Sequence, residues 1–281
     1  MPGTLYVVAT PIGNLEDVTL RALRVLREVS LIAAEDTRRT ARLLQHYSIS
    51  TPTTSLHEHN ERSRTPGLVG RLCAGESIAL VSDAGTPIVS DPGTFLVAAA
   101  HAAGVRVEAV PGPSAVIAAL SASGLAEREF VFLGFPPARA LARRTWLEKL
   151  AKEERVMVVY EAPHRIRATL AALSDAFGER MVAVAREISK KHEELVVRPI
   201  NYFVASPPVE MGEFTVVISG FRPNDEQATA PEASGLALMF VQMTNVGGLT
   251  RRAAIKQLAV TYRLSARDVF KKLEDAKKLD I

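Results

Sequence analysis

A short phrase occurs twice between residues 82 and 94, and its residue types could bind a ligand. SDAGT (82–86) is followed eight residues later by SDPGT (90–94). The apolar run IALV precedes the first copy, and the apolar run FLVAAAHAAG follows the second. This pattern predicts two acidic, glycine-bearing turns between a strand and a helix. Carboxylates there could bind hydroxyl or ammonium groups, and glycine lets the backbone approach a ligand closely.

Polar or glycine-rich loops also follow the other strands predicted in the first 125 residues. Their sequences are TPIGNLED (10–17), AEDTRR (34–39), LHEHNE (56–61) and PGPSA (111–115). One such loop is ordinary, because glycine, proline and aspartate are common turn residues. The strands and helices between these loops alternate, which predicts a parallel sheet with helices on both faces. Ligands of such sheets bind beyond the carboxyl ends of the strands, so we expect a ligand cleft where the five loops meet.

The elements that position these loops predict an α/β protein with two α/β domains and a small helical extension. Residues 1–123 read as a parallel-sheet domain, and residues 124–221 read as a mixed-sheet domain because several strands follow one another without a helix. Residues 222–233 carry two prolines and mixed charge without periodicity, which predicts a linker. Residues 234–281 read as two or three short helices.

Several chemistries are excluded at the level of motifs. The sequence contains no GxxxxGK[ST], no HExxH and no GxSxG, and no GxGxxG opens the chain. Its one cysteine, Cys73, permits neither an intrachain disulfide nor a cysteine-based metal site, and we expect no metal. The N-terminus lacks the basic region of a signal peptide, and no run reads as a membrane span, so we expect a cytoplasmic protein.

The loop chemistry favours an adenosine-type cofactor with a positive centre. The loops hold acids and backbone donors but few basic residues apart from Arg38 and Arg39. A phosphate-rich cofactor usually requires a glycine-rich loop at a helix N-terminus or Lys/Arg clamps. Acids, by contrast, bind ribose hydroxyls or an ammonium group. The residues therefore point to S-adenosylmethionine.

The C-terminal segment is basic although the whole chain is nearly balanced. From Leu249 onward there are nine Lys and Arg residues against four acids, a local charge of +5 in a chain whose net charge is +3. Two interpretations stay open: a solvated helical face, or contact with an anionic polymer such as a nucleic acid. Under the second interpretation, Arg251 and Arg252 are candidate RNA contacts.

A series of motifs, in order along the chain, resembles one family. These motifs are ATPIGNLEDVTLRAL, AEDTRRTARLL, SLHEHNE, ALVSDAGTPIVSDPG, VPGPSAVIAALSASGL, FVFLGFPP, YEAPHRI, VAREISKKHEE and GEFTVVI. They are similar to those of the bacterial 16S rRNA cytidine 2′-O-ribose methyltransferases, which are class III, tetrapyrrole-methylase-like enzymes. The resemblance covers roughly residues 3–220. Tetrapyrrole methylases have a GxGPGD-like first loop where this chain has TPIGN (10–14), which matches the rRNA branch.

The resemblance implies a two-domain enzyme, usually a homodimer, that binds S-adenosylmethionine between its domains. Its product would be a 2′-O-methylated cytidine in the decoding region of 16S rRNA, made on the rRNA or on the small ribosomal subunit. By motif position, the expected cofactor contacts are Asp83, Ala84, Gly85, Thr86, Ile88, Ser114, Ala115, Phe135 and Gly212.

The remaining expected roles concern the acceptor. Candidates for proton removal or ribose hydrogen bonding are Asn14, Glu35, Asp36 and His57. Candidate substrate and RNA contacts are Pro11, Gly13, Arg38, Arg39, Arg165, Lys190 and Lys191, together with the C-terminal arginines. A histidine has the intrinsic pKa of a general base, but orientation and nearby positive charge could suffice without one.

Each turn of the repeated phrase also has a structural interpretation. Asp83 could be only a turn-capping acid, and Ser114 could only start the next helix. Asp91 followed by Pro92 is typical of a helix N-cap with proline at the first helical position. We therefore expect Asp83 to bind the cofactor and Asp91 to cap a helix.

Two other functions stay open from the sequence. A small-molecule methylase acting on a tetrapyrrole-like substrate would use the same fold. A non-catalytic RNA-binding or assembly factor would keep the cleft without using it.

Overall fold

The computed structural model describes residues 2–222, 233–241, 243–244, 249–261 and 265–279. The chain divides into two compact units, Met1–Gly220 and Phe221–Ile281. The predicted linker, 222–233, lies mostly outside the described residues.

A parallel five-stranded sheet forms the first half of the larger unit. The strand order is β3-β2-β4-β1-β5. Its strands are β1 (Thr4–Val8), β2 (Leu31–Ala34), β3 (Thr53–Ser55), β4 (Ile78–Val81) and β5 (Arg106–Val110). Its helices are α1 (Leu20–Glu28), α2 (Thr37–His46), α3 (Glu61–Cys73), α4 (Thr94–Ala102) and α5 (Ala115–Ser123).

Both faces of this sheet are covered, as its apolar strands require. Strand β4 is buried at all four positions. Ala79 and Val81 belong to one hydrophobic cluster, while Ile78 and Leu80 belong to another on the opposite face. Successive side chains of a strand point to opposite faces, so a run without polar residues needs a helical layer on each side.

A mixed five-stranded sheet forms the second half of the larger unit. Its order is β6-β7-β10-β8-β9, in which β6 and β7 are parallel and the other pairs are antiparallel. The strands are β6 (Phe130–Phe132), β7 (Val156–Glu161), β8 (Met181–Arg186), β9 (Glu194–Pro199) and β10 (Phe214–Ile218). The helices are α6 (Ala140–Leu150), α7 (Ile166–Phe177) and α8 (Ile200–Ala205).

The smaller unit contributes three described helices, α9 (Ala233–Val241), α10 (Arg251–Thr261) and α11 (Ala266–Leu279). Leu236, Leu258, Val269 and Leu273 form their buried core.

The expected fold class is confirmed: an α/β chain with one parallel and one mixed sheet, followed by short helices. Among the described helices, the six-residue α8 was not predicted, because INYFVA is too short to show helical periodicity.

Candidate functional site

A cavity of about 340 Å³ lies between the loops of the two sheets within the larger unit. We call it the main cavity. The first sheet contributes Ile12, residues 84–86, residues 89–91 and residues 114–115. The second sheet contributes Phe135, residues 160–163, Ile188, Lys190 and residues 213–215. The lining is therefore mostly small or apolar, with a few acids and one lysine.

A second cleft, of about 390 Å³, lies on the first-loop side. It is lined by Thr10, Pro11 and Leu15, by four residues of α2 including Arg39 and Arg42, and by Ser82, Asp83, Lys190 and Glu213. Lys190 and Glu213 are thus common to both linings.

The first loop and the loop after β4 are joined by backbone hydrogen bonds. Thr10 N donates to Gly85 O at 2.9 Å, and Gly85 N donates to Thr10 O at 3.0 Å. Gly85 has φ +82°, and a side chain there would lie 3.3 Å from the Ile12 side chain. Thr86 Oγ1 donates to Pro113 O at 3.1 Å and so ties the same loop to the loop after β5. Three strand-end loops therefore meet, as expected for a parallel sheet.

Asp91, in the second turn of the repeated phrase, does not cap the following helix. The N-cap residue of α4 is Gly93, and the expectation that Asp91 fills that position is wrong. Three backbone donors at the start of α4 are satisfied from another helix: Glu61 Oε1 accepts from Gly93 N at 3.1 Å, Phe95 N at 2.8 Å and Leu96 N at 3.1 Å. Because Glu61 already occupies this helix end, Asp91 is left to line the main cavity.

Asp91 is a half-buried carboxyl group with a perturbed pKa. Its pKa is raised to about 6, chiefly by burial and also by the like charges of Glu35 and Asp83, while a hydrogen bond with the Ser82 hydroxyl opposes the rise. Within the described part of the chain, no lysine or arginine forms an ion pair with it. A carboxylate in this position favours a ligand that carries positive charge.

The aspartate of the first turn lines the second cleft, whereas residues 84–86 of the same turn line the main cavity. Asp83 Oδ1 accepts from Asp36 N at 2.9 Å, and its Oδ2 lies 3.4 Å from Arg39 Nη1. Asp83 lines the second cleft and is not among the described residues that line the main cavity. The two aspartates of the similar turns therefore line different cavities.

Backbone strain accompanies this loop. Ile88 has φ +77° and Ser90 has φ +69°. A left-handed conformation is unfavourable for a β-branched residue and is held only where the surrounding structure requires it. Ile88 itself lies outside the described lining of the main cavity, so its expected cofactor contact stays a prediction.

The second sheet supplies an aromatic wall and a buried acid. The Phe135 and Tyr160 rings lie 5.5 Å apart at an angle of 55°. Glu161 is fully buried, accepts from Thr169 Oγ1 at 2.5 Å and lies 3.2 Å from Arg165 Nε. Arg165 therefore pairs with a buried carboxylate beside the main cavity. This pairing leaves little of the Arg165 guanidinium available for the RNA contact predicted from sequence.

The side chains of two of the four candidate catalytic residues accept hydrogen bonds from backbone N–H groups. Asn14 Oδ1 accepts from Glu16 N at 3.1 Å and caps the short 3₁₀ turn Leu15–Asp17. Glu35 Oε2 accepts from Asp83 N at 3.3 Å, and burial raises the pKa of its carboxyl group.

The other two lie on the same edge of the first sheet. Asp36 caps α2, and its hydrogen bonds with Arg38 lower its pKa to about 2. His57 Nε2 lies 3.1 Å from Asn60 Nδ2, while its Nδ1 is buried with no hydrogen-bond partner in the described structure. Within the part of the chain that the structure describes, none of the four candidates lines either cavity.

The predicted RNA contacts are spread over several surfaces. Arg38 and Lys191 are exposed, Pro11 and Arg39 line the second cleft, and Gly13 packs against Lys190. Arg251 and Arg252 are exposed on α10 in the smaller unit. Arg251 lies 5.8 Å from the centre of the Phe240 ring.

Six of the nine predicted cofactor residues line the main cavity: Ala84, Gly85, Thr86, Ser114, Ala115 and Phe135. Sequence reasoning missed Asp91, Tyr160, Glu161 and Glu213. Tyr160 and Glu161 could have been found, because YEAP follows a strongly apolar strand as the first-sheet loops do.

The described residues include neither a membrane-spanning helix nor a cluster of metal ligands. No described helix is both long and apolar enough to cross a membrane. No described group of three or more His, Cys, Asp or Glu side chains is placed to hold a metal ion.

The comparison with protein families decides the classification. The model of the tetrapyrrole (corrin/porphyrin) methylases matches residues 4–202. The chain belongs to the tetrapyrrole methylase family. The larger unit, with both cavities, is thus a tetrapyrrole methylase unit.

Close relatives of this tetrapyrrole methylase are named ribosomal RNA small subunit methyltransferase I. The protein from Pseudomonas aeruginosa is 49% identical over 237 residues, covering 82% of this chain and 84% of its own. The protein from Synechocystis sp. is 48% identical over 273 residues, covering 95% of this chain and 96% of its own.

A solved structure supports the fold. The uroporphyrin-III C-methyltransferase from Thermus thermophilus, complexed with S-adenosyl homocysteine, is 20% identical with a TM-score of 0.55. The match covers 76% of this chain and 97% of that one.

Proposed function

We propose that this protein transfers a methyl group from S-adenosylmethionine to the ribose 2′-oxygen of a cytidine in 16S ribosomal RNA. The observation that carries the proposal is the adjacency of two cavities that share Lys190 and Glu213. One cavity suits a cofactor, and the other, bordered by arginines, suits an anionic acceptor. The names of the relatives support rRNA of the small subunit as the substrate.

The main cavity fits S-adenosylmethionine. The rings of Phe135 and Tyr160 offer flat apolar surface to an adenine, and residues 84–86 are small enough for close approach. The carboxylate of Asp91 offers a negative charge without a basic partner among the described residues. When bound, the cofactor supplies a methyl group on a positively charged sulfur. Asp83, Ile88 and Gly212 stay predicted cofactor residues that would act by shaping the loops.

The second cleft fits the acceptor nucleotide. Arg39 and Arg42 lie along its α2 side, where they would contact phosphates, and Pro11 is also part of its lining. Asn14, Glu35, Asp36 and His57 stay candidates for hydrogen bonding to the ribose or for proton removal. Arg38, Lys191 and the C-terminal Arg251 and Arg252 would contact flanking RNA.

The proposal also includes a homodimer, which rests on the resemblance of the motifs, and a cytoplasmic location, which the names of the rRNA methyltransferase relatives support. Light scattering of the purified protein measures the oligomeric state directly. A mass equal to that of one chain at micromolar concentration contradicts the dimer.

The decisive experiment uses the full-length protein, S-adenosylmethionine and small ribosomal subunits from a strain lacking the gene. Mass spectrometry of the digested rRNA should reveal one new 2′-O-methylcytidine. Phe135→Ala should weaken cofactor binding, whereas Phe130→Ala, on the exposed edge strand β6, is the matched control. A methyl group on a base, or none, contradicts the proposal. Methylation of a free macrocycle without RNA would favour the tetrapyrrole alternative, and absent cofactor binding would favour a non-catalytic factor.

A further inference from the structure

Lys190 is the only lysine among the described residues that lines both cavities. Its side chain is 28% exposed, and its Nζ donates to Glu187 Oε1 at 2.8 Å and to Glu213 Oε2 at 3.0 Å. An ammonium group has three N–H donors. Two of them are directed to carboxylates, so one is left for a ligand at the junction of the cavities.

The backbone around Lys190 is shaped to hold this arrangement. Glu187 Oε1 also accepts from Glu213 N at 2.9 Å, so one carboxylate fixes both members of the pair. Glu187 has φ +51° and Ser189 has φ +66°, a conformation that costs free energy in residues other than glycine. The hydroxyl of Ser189 donates to Asp17 near the first loop, which anchors the segment across the junction.

Two glycines make room for the same group. A Cβ at Gly13 would lie 2.3 Å from Lys190 Cγ, and a Cβ at Gly212 would lie 2.4 Å from Glu187 Cγ. Gly212 also has φ +81°. Both glycines belong to motifs singled out in the sequence, and neither lines the main cavity in the described structure. Their common effect is to let the lysine and its carboxylate partner approach the junction.

The electrostatic environment keeps Lys190 protonated. Burial of the ammonium group lowers its pKa, but the hydrogen bonds to Glu187 and Glu213 outweigh burial and raise the pKa above its ordinary value. Lys190 is therefore a hydrogen-bond donor and a positive charge, and it is not a proton acceptor. Glu213, whose side chain is 68% exposed, keeps an oxygen accessible from the open cleft.

We propose that Lys190 and Glu213 together bind the acceptor hydroxyl: Lys190 donates a hydrogen bond to its oxygen, and Glu213 accepts its proton. This inference rests on the proposed function and assigns the groups that handle the acceptor. The oxygen forms its bond to the methyl carbon while the S–C bond breaks, and the electron pair of that bond stays on sulfur. The hydroxyl proton passes to the Glu213 carboxylate and then to water. A fixed positive charge stabilises the negative charge that develops on the oxygen.

The kinetic test uses Lys190→Gln and Glu213→Gln in the full-length protein, with Lys152→Gln as the control. Lys152 is exposed just beyond α6 and lines neither cavity in the described structure. At saturating cofactor, the single-turnover rate of rRNA methylation should fall about 100-fold in each site variant and stay unchanged in the control. The affinity for S-adenosylhomocysteine, measured by calorimetry, should change less than about threefold. A Lys190→Gln rate near that of the parent overturns the inference, as does a loss of cofactor affinity as large as the loss of rate.

A binding test needs no turnover. Small subunits reconstituted with rRNA that carries one 2′-deoxycytidine at the methylated position lack only the acceptor hydroxyl. The parent protein should bind these subunits about tenfold to one-hundredfold more weakly than normal ones, which corresponds to the loss of a hydrogen bond to a charged group. Because Glu213 still contacts the hydroxyl, Lys190→Gln should show a smaller preference for normal subunits than the parent, whereas equal preference in parent and variant overturns the inference. A parent that binds and methylates no rRNA overturns the proposed function itself, and the inference with it.

Discussion

At the scale of residues, two aspartates with almost the same sequence context have opposite surroundings. Asp83 receives a backbone N–H and lies near Arg39, whereas Asp91 is half-buried with acids as its charged neighbours. The left-handed residues between them turn the second aspartate toward the main cavity. Sequence patterns give residue types and not these torsion angles, so the position of Asp91 in the lining of the main cavity could not be predicted.

Asp91→Asn should weaken S-adenosylmethionine binding at neutral pH. The variant removes a half-buried negative charge beside a positively charged ligand, so the dissociation constant should rise about tenfold, as for a lost charge-assisted hydrogen bond. Calorimetry measures it directly. Asp175→Asn, on α7 and outside the described linings of both cavities, is the matched control, and equal affinities in both variants would contradict the assignment.

The same carboxyl group should make cofactor binding depend on pH. With a pKa of about 6, Asp91 is ionised at pH 8 and increasingly protonated below pH 6. The affinity of the parent protein for S-adenosylmethionine should fall as pH decreases through that value, at most about tenfold per pH unit. In Asp91→Asn the residual affinity should be nearly constant over this interval. A parallel decrease in both proteins would exclude Asp91 as the titrating group.

The stability of Asp91→Asn should change in the opposite direction from its affinity. The folded pKa of about 6 lies above the ordinary value of 3.8. The folded state therefore binds the proton more tightly, and the stability that the protonated group contributes at low pH is lost as pH rises through 6. At pH 7.5 the ionised group destabilises the fold, so the variant should gain about 1 kcal/mol after allowance for solvent screening. Urea unfolding at pH 7.5 and pH 4 measures it, and the gain should vanish at the lower pH.

At the scale of elements, the end of one helix is satisfied by a side chain of another. Glu61 begins α3, yet its carboxylate accepts three backbone donors at the start of α4. Since α4 follows the loop that lines the main cavity, this contact fixes where that loop ends. It also leaves Asp91 free from a capping role.

Glu61→Ala should destabilise the larger unit by about 1–2 kcal/mol, the cost of a lost helix cap. Chemical denaturation at pH 7.5 measures the free energy of unfolding. Glu58→Ala changes an exposed acid three residues earlier and should have little effect. If the two variants had equal free energies of unfolding, the three hydrogen bonds to α4 would make no net contribution to stability.

The strands and helices themselves could largely be predicted from the sequence. Buried runs such as IALV and the alternation of strands with helices indicate the parallel sheet directly. The order of the mixed sheet could not be predicted, because β10 pairs between β7 and β8 although it comes last along the chain. The role of Glu61 could not be predicted either, because it accepts hydrogen bonds from residues more than thirty positions away along the chain.

At the scale of the whole molecule, basic charge is concentrated in the C-terminal segment. Arg251 and Arg252 are both exposed on α10. If they contact rRNA phosphates, Arg251→Gln combined with Arg252→Gln should reduce the slope of log affinity against log salt by about 1 to 2. Filter binding to small subunits at several salt concentrations measures that slope. The control is Arg24→Gln with Arg144→Gln, two exposed arginines paired within their own helices, and an equal decrease in both would indicate only a net-charge effect.

Lys190 and Glu213 belong to the linings of two cavities at once, so neither side chain can rearrange for one ligand alone. Thermodynamic linkage then requires reciprocity: the factor by which the acceptor changes cofactor affinity equals the factor by which the cofactor changes acceptor affinity. The shared ion pair therefore gives the fold a coupling free energy between the two binding events. Binding of one ligand can then change the affinity for the other without a domain movement.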